Sequence, residues 1–501
     1  MKRGIFCNLS WLLLGSVVDK LLGGVYRLVL TRVLGTSIGL YQMVFAVYSF
    51  LVILISSGIP LAISKQISSQ ANLQDRQKIV YGAVSILFSV SAILAFVLIM
   101  GCKGIAIIQG DVKVCWCYVV LAPSLMFSAG SAILRGYCQG VYKFNISALS
   151  GIVEQLARVV LGLVLMIVLN RFYLFGALLG AMLGTLMGDI VSFVFLKLAL
   201  RNKIDIKYSF RYLDDGKRVL KYAYPIMLYS IIIPLTNFID SFLVVRLLGV
   251  SMPYKSSILL YGLQSGVVSA IISIPSIFSF SLASVLMPNL SGDYAVKDNG
   301  KFNQKVSLAF KLILFVSLPC AIYFAINASN IVEMLYGGGL NGFGINGQYV
   351  TKNLLIISSI GVVFSGINQL SAVVLQNLNE KIQPIINLSI GVVCKLVIEL
   401  IFVPSKLGVY AYSVAIVVCF VVSGVLNLYS VEKYCHNIFD FNYLTKQFIL
   451  CAVVFGVLTV FKLFNSSVVF VLGSIFTIMI YLIGIYLIKL FSKKEIKQLF
   501  K

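Results

Sequence analysis

Histidine is almost absent from this chain. The single copy in 501 residues, His436, falls in a loop, so neither a Ser–His or Cys–His nucleophile pair nor a histidine metal cluster can be assembled. Ten cysteines are scattered mostly through apolar runs without a CxxC pair, Cys115 and Cys117 being the nearest two. They read as small buried apolar side chains that hold neither metal nor disulfide. Acidic residues number 17 against 40 lysines and arginines, and charged residues make up only 11% of the chain, where a soluble domain carries about 25%. These shortages argue against an enzyme and exclude an ordinary soluble domain.

Apolar residues fill 60% of the sequence, and the mean hydropathy is +1.00. Runs long enough to cross a bilayer, about 20 residues each, lie near 10–34, 39–64, 79–100, 114–134, 144–169, 172–196, 222–248, 257–287, 306–328, 350–376, 382–403, 408–430, 447–464 and 467–488. The expected fold is therefore an all-α polytopic membrane protein of about fourteen transmembrane helices. A transmembrane barrel would need shorter strands of alternating polarity, which these runs do not show. Lys2 and Arg3 open the chain as a signal peptide would, but Asp19 and Lys20 interrupt the apolar run, so the first helix is expected to be retained.

The net charge of +23 takes its meaning from its distribution. About 26 lysines and arginines fall in the N-tail, the loops or turns at 65–78, 135–143, 197–221, 297–305, 381 and 433–446, and the C-tail; the alternate loops hold about seven. By the positive-inside rule both termini are expected to face the cytoplasm. Nucleic acid is not needed to explain the basic balance.

The charged stretch at 201–221 separates an N-terminal lobe, 1–200, from a C-terminal lobe, 222–432, leaving a terminal helix pair and basic tail at 433–501. An internal repeat supports two similar six-helix lobes. "TRVLG" (31–35) and "SGIP" (57–60) recur in order as "VRLLG" (245–249) and "ISIP" (272–275), and aligning 137–158 with 374–395 sets Arg158 opposite Lys395. Transporters built from repeats bind substrate near the midplane, where the repeats meet.

Charges within the spans carry the functional reading, because each costs roughly 2.5–3.5 kcal/mol near the bilayer centre on insertion scales. Lys20, Gly24, Arg27 and Thr31 recur at i, i+4, i+7 and i+11 and form one basic stripe on the first helix. Asp19 and Tyr26 flank it. Such a stripe faces a wet cavity or another helix; the alternative is internal pairing, Asp19 with Arg27, that merely locks the helix in place. Glu154 and Arg158, and in reverse order Lys395 and Glu399, are i,i+4 pairs able to neutralise themselves. Asp240, with Thr236 and Asn237 one turn earlier and Pro234 nearby, offers oxygen ligands beside opened backbone, suited to Na+ or H+ as coupling ion; a salt bridge to Lys395 or a helix-1 cation is the alternative. Asp189 is isolated and receives no role, and Arg32 and Arg246 read as snorkelling ends. Pro123, Pro234, Pro275 and Pro319 permit kinks. A cationic pocket in low dielectric attracts a phosphate or diphosphate headgroup, and Arg adds bidentate contacts.

"DKLLGGVYRLVLTRVLG", "GLYQ" (39–42), "SGIPLAISK" (57–65), "RGYCQG" (135–140), "VEQLARV" (153–159), "LYGG" (335–338) and "VLQNLN" (374–379), in that order, resemble the polysaccharide-transporter branch that contains stage V sporulation protein B and the MurJ-type lipid II flippases. The resemblance implies fourteen helices, two six-helix lobes in a V, and a final pair bordering a groove for a polyprenyl tail. It also implies movement of a lipid-linked cell-wall precursor to the outer leaflet. The family's helix-1 basic pair contacts the diphosphate; Lys20 matches its first member, whereas the second position is Tyr26 here with Arg27 one residue later, and the usual helix-2 arginine has no counterpart near "LVILISSGIP". Sodium-site matches implied by some relatives are Asp240, Asn237 and Asn387.

The expected activity is thus a flippase for an undecaprenyl-diphosphate-linked precursor working by alternating access. Lys20 and Arg27 hold the diphosphate, Asp19 and Glu154 orient those cations, Tyr26 and Arg158 complete the substrate-binding set, and cell-wall synthesis proteins and membrane lipids are the expected company. The alternatives are an exporter of other polyprenyl-linked oligosaccharides, such as capsule, teichoic or spore-cortex precursors, a cation-coupled multidrug extruder, and a non-transporting assembly scaffold. The basic stripe argues against cationic drugs.

Overall fold

The computed structural model describes residues 2–70, 72–172, 175–201, 204–279, 299–378, 380–435, 438, 441–463, 467–488 and 490. His436, the later part of the 257–287 run and the basic tail lie outside them. Among the described residues the regular structure is helical throughout, with a lone β-bridge between Gly342 and Ile345.

Helix α1 (Lys2–Leu34) stops at Gly35, whose φ of +51° suits glycine. The next crossing is α2 (Ile38–Ser56) and α3 (Ile59–Ser68), interrupted at Gly58 with φ +73° and restarted by Pro60 in the first turn of α3. After α4 (Leu73–Ile108), Pro123 separates α5 (Cys115–Leu121) from α6 (Ser124–Gly140). Then come α7 (Phe144–Asn170), α8 (Gly176–Ala199) and α9 (Leu213–Leu248), the last with Pro225 and Pro234 inside it. A π turn at Leu263–Val268 joins α10 (Tyr254–Gly262) to α11 (269–279). The remaining helices are α12 (Asn299–Tyr336), α13 (Gly347–Asn377), α14 (Gln383–Phe402), α15 (Val409–Glu432), α16 (Phe441–Lys462) and α17 (Ser467–Ile488). Thirteen stretches are long and apolar enough to span a membrane, and one of them, Val17–Ser68, holds two crossings. The expected fourteen-helix fold is met.

Two compact units emerge, Met1–Gly249 with Pro253–Gly262, and Val250–Met252 with Leu263–Lys501. The first extends beyond residue 200 to take in α9 and α10, because α9 packs on α2, α3 and α4, and α10 on α2 and α9. The stretch between α8 and α9 is pinned to α4: the Ser85 hydroxyl donates to the Ser209 carbonyl (3.0 Å), the Ser209 N–H donates back (2.8 Å), and Ser89 pairs with Tyr208 (2.7 Å). In the second unit α16 and α17 share a core with α12 and α13 that includes Phe310, Ile313, Leu370, Leu450 and Tyr481. One cysteine expectation is overturned. The short turn after α4 brings Cys102 and Cys115 together in a disulfide, with Cα atoms 4.8 Å apart, whereas seven other cysteines are free.

The most extensive helix contact, α7 on α8, depends on glycine. Gly176, Gly180, Gly184 and Gly188 recur every fourth residue on the face of α8 that meets α7, and a methyl group at Gly184 would strike the Gly162 Cα. Small residues at this spacing let backbones approach where lipid offers no hydrophobic drive. Gly184→Leu should therefore separate the helices and cost about 3 kcal/mol or more, read as a lower thermal midpoint of the detergent-solubilised protein. Gly24→Ala, where an added Cβ meets nothing within 4 Å, should not lower it.

Candidate functional site

Helix α1 presents three faces. Tyr26, Leu30 and Leu34 are buried, and the helix packs chiefly on α7. Val18, Leu21, Val25, Val29 and Val33 make an exposed apolar stripe fit for lipid. Lys20 and Arg27 lie on neither, being half-exposed, with Gly24 between them opening on empty space. At about 100° per residue the basic stripe stands well over a quarter-turn from the apolar one, so these cations do not point at acyl chains. Thr31 is buried at the end of the stripe, its hydroxyl donating to the Arg27 carbonyl at 2.8 Å.

Asp19 and Arg27 do not pair: neither has an ion pair among the described residues. Asp19 instead feels the charges of Glu154, Arg158, Arg135 and Lys20. Tyr26, expected on the substrate side, is only 3% exposed and packs against Gly162 of α7, its hydroxyl without a hydrogen bond. It belongs to the packing face.

Behind α1 lies a polar network. Arg135 on α6 donates to Glu154 Oε2 (2.6 Å), to Ser150 Oγ (2.8 Å) and to Ser192 Oγ (3.0 Å). Arg158 donates to Glu154 Oε1 at 2.9 Å and reaches Asp189 Oδ1 at 3.4 Å. The other Asp189 oxygen accepts from Tyr48 at 2.5 Å and from Ser124. Two guanidiniums thus face two carboxylates on α6, α7 and α8, and the expected Glu154–Arg158 neutralisation becomes a four-charge cluster. Asp189, isolated in the sequence, is held by three neighbours. Arg135, expected among the loop cations of 135–143, stands within α6, half-buried; the small-residue run "SAGSAILRGYCQG" leading through it signals a helix that continues. Ser124 and Tyr48 carry no sequence signal of their own.

The cation-coupling candidates divide. Asp240 and Thr236 are buried in the first unit, whereas Asn237 is exposed, so the patch expected beside Asp240 loses one member. Asn387, in the second unit, donates to Asn427 Oδ1 (2.8 Å) and Ser430 Oγ (3.2 Å), and Asn427 donates on to Asn368 (2.7 Å). Lys395 and Glu399 form a buried pair at 3.2 Å, with the Lys395 ammonium 5.7 Å from the centre of the Tyr412 ring. Arg32 and Arg246 are exposed. No group of three or more metal-ligating side chains occurs among the described residues.

Removing Glu154 would strip Arg135 of its carboxylate and leave Arg158 only the longer contact to Asp189. Glu154→Ala should destabilise the protein by about 3–5 kcal/mol, against about 1 kcal/mol for Ser150→Ala, both read from thermal unfolding monitored by intrinsic fluorescence.

A family model described as polysaccharide biosynthesis protein matches residues 5–292. Stage V sporulation protein B of Bacillus subtilis is 24% identical over 447 residues, covering 84% of this chain and 82% of that protein. Lipid II flippase MurJ of Bacillus subtilis is 21% identical over 429 residues, covering 79% and 76%. A solved structure of lipid II flippase MurJ in an inward closed conformation superposes with a TM-score of 0.75 at 16% identity, over 94% of this chain and 97% of the other.

Proposed function

The chain belongs to the polysaccharide biosynthesis protein family, and from that premise we propose that it is a flippase, carrying an undecaprenyl-diphosphate-linked cell-wall precursor from the cytoplasmic to the outer leaflet by alternating access. The single observation behind this reading is the Lys20–Arg27 stripe, half-exposed, turned away from the lipid-facing valines and open at Gly24. Two half-exposed cations on one helix face suit a diphosphate, Arg27 by paired N–H donors and Lys20 as a point charge. The name of one relative, a lipid II flippase, supports the same substrate class.

In this reading the Arg135–Glu154–Arg158–Asp189 cluster is scaffolding that fixes α7 behind α1, and Asp19 orients Lys20. Asp240 couples transport to Na+ or H+. The protein sits in the bacterial cytoplasmic membrane with both termini in the cytoplasm, as its lysine and arginine distribution supports.

In proteoliposomes, translocation of a labelled lipid-linked precursor should fall on the order of 100-fold in the Lys20→Ala, Arg27→Ala double variant, the loss of two charge-assisted contacts. Gly24→Ala should retain transport. Undiminished flux in the double variant would remove the binding pair, and equal flux of precursors with unrelated sugars would turn the reading to general export of polyprenyl-linked oligosaccharides.

A further inference from the structure

Tyr48 on α2, Ser124 on α6 and Asp189 on α8 meet in a closed triangle of oxygens. The Tyr48 hydroxyl lies 2.6 Å from the Ser124 hydroxyl and 2.5 Å from Asp189 Oδ2, and Ser124 Oγ also contacts Oδ2. Oxygens this close need a hydrogen between them, yet the two hydroxyls bring one each. With Asp189 ionised, one side of the triangle always sets two oxygens together with no hydrogen to join them. A third proton, on Oδ2, closes the ring: Tyr48 donates to Ser124, Ser124 to Asp189 and Asp189 to Tyr48, each bond reinforcing the next. All three residues are buried, Asp189 being 4% exposed.

The ionised form has a partner of its own. Asp189 Oδ1 stands 3.4 Å from Arg158, which Glu154 holds more closely at 2.9 Å while also pairing with Arg135 at 2.6 Å. Ionised, Asp189 balances two guanidiniums with two carboxylates. Protonated, it gives up only the longest of these contacts and leaves two guanidiniums against one carboxylate. Its surroundings hold few other titratable groups. On α1 they are Asp19 and Tyr26, which both feel Arg158, and on α2 Tyr41, which feels it too. Helix α5 has no charged residue; Cys117 and Tyr118 are buried there, with Tyr118 donating to Gln109. We propose that Asp189, with Tyr48 and Ser124, is a proton-binding site, additional to Asp240, that takes up one H+ from water on Oδ2 and releases it again with no other bond made or broken. Ionisable residues inside membrane spans commonly serve as such relays.

The proton also bears on the substrate stripe, and this part rests on the transport reading. Asp19, next to Lys20 in the chain, feels the charges of Glu154, Arg158 and Arg135. A proton on Asp189 adds one positive charge behind α1. Anion binding at Lys20 and Arg27 and proton binding at Asp189 therefore strengthen each other, by reciprocity in equal measure.

Infrared difference spectra of the reconstituted full chain, recorded without ligand from about pH 8 to about pH 5, test the site. The carbonyl stretch of a protonated carboxyl group should appear as the pH falls, be absent in Asp189→Asn, and move to higher frequency in Tyr48→Phe, where that carboxyl loses a hydrogen-bonded neighbour. Tyr48→Phe keeps the test decisive if Asp189→Asn fails to fold. A band that never appears, that stays constant over this range, or that is unchanged in both variants would overturn the proton site. The linkage is read from retention of a lipid-linked disaccharide diphosphate in native mass spectrometry, a diester that lacks the phosphate ionisation of about pH 6. Retention should be about tenfold stronger at the acid end and independent of pH in Asp189→Asn. Equal retention at both ends would overturn the linkage. No retention at either end would overturn the Lys20–Arg27 reading instead, and the infrared band would still decide the proton site.

Discussion

A charge carried into hydrocarbon must be answered within a few ångströms or kept wet, and the first unit is arranged around that constraint. Asp189, Arg158, Glu154 and Arg135 answer one another across three helices. They can do so only because α8 lies against α7 along a line of glycines, bringing a carboxylate on one helix within reach of a guanidinium on the other. Breaking a buried pair is far costlier than never having built it, so the cluster is a strong determinant of how α6, α7 and α8 sit. With those helices fixed, α1 has a defined surface to pack on, and its remaining cations are left to the open side.

The fold was legible because a bilayer permits few solutions. Every backbone donor must be satisfied within its own segment, so a long apolar run can only be a helix, and counting runs came close to counting crossings. Breaks were legible where the residue enforces one, as at Pro123. The unit boundary was less legible. A charged stretch reads as a linker, yet Ser85, Ser89 and Tyr81 on α4 hold its partners Ser209, Tyr208 and Tyr212, and the serines and tyrosines that do this look like ordinary polar spacing in a sequence. The same holds for Cys102 and Cys115, whose meeting depends on the path of the intervening turn.

The site was legible in its charges and not in its directions. Helical spacing alone grouped Lys20, Gly24 and Arg27 correctly on one stripe, and the i,i+4 order of Glu154 and Arg158 foretold their bond. Spacing along one helix says nothing about the next helix. Hence Asp189 looked alone although Tyr48, 141 positions away in sequence, bonds to it, and Tyr26 looked available although α7 covers it. Arg135 was obscured by a rule that is right on average: lysines and arginines near helix ends do mark the cytoplasmic face, but one that stands a turn inside the helix answers a carboxylate instead.

The disulfide near the start of α5 bears on orientation by a route that owes nothing to charge counting. Cross-links of this kind persist in oxidising surroundings and are rare where glutathione keeps thiols reduced. Cys102 and Cys115 lie toward the end of α4 remote from the basic 65–78 loop. Under the proposed orientation, with both termini in the cytoplasm, that end of α4 faces outward, which is also the side where sulfur chemistry expects such a cross-link.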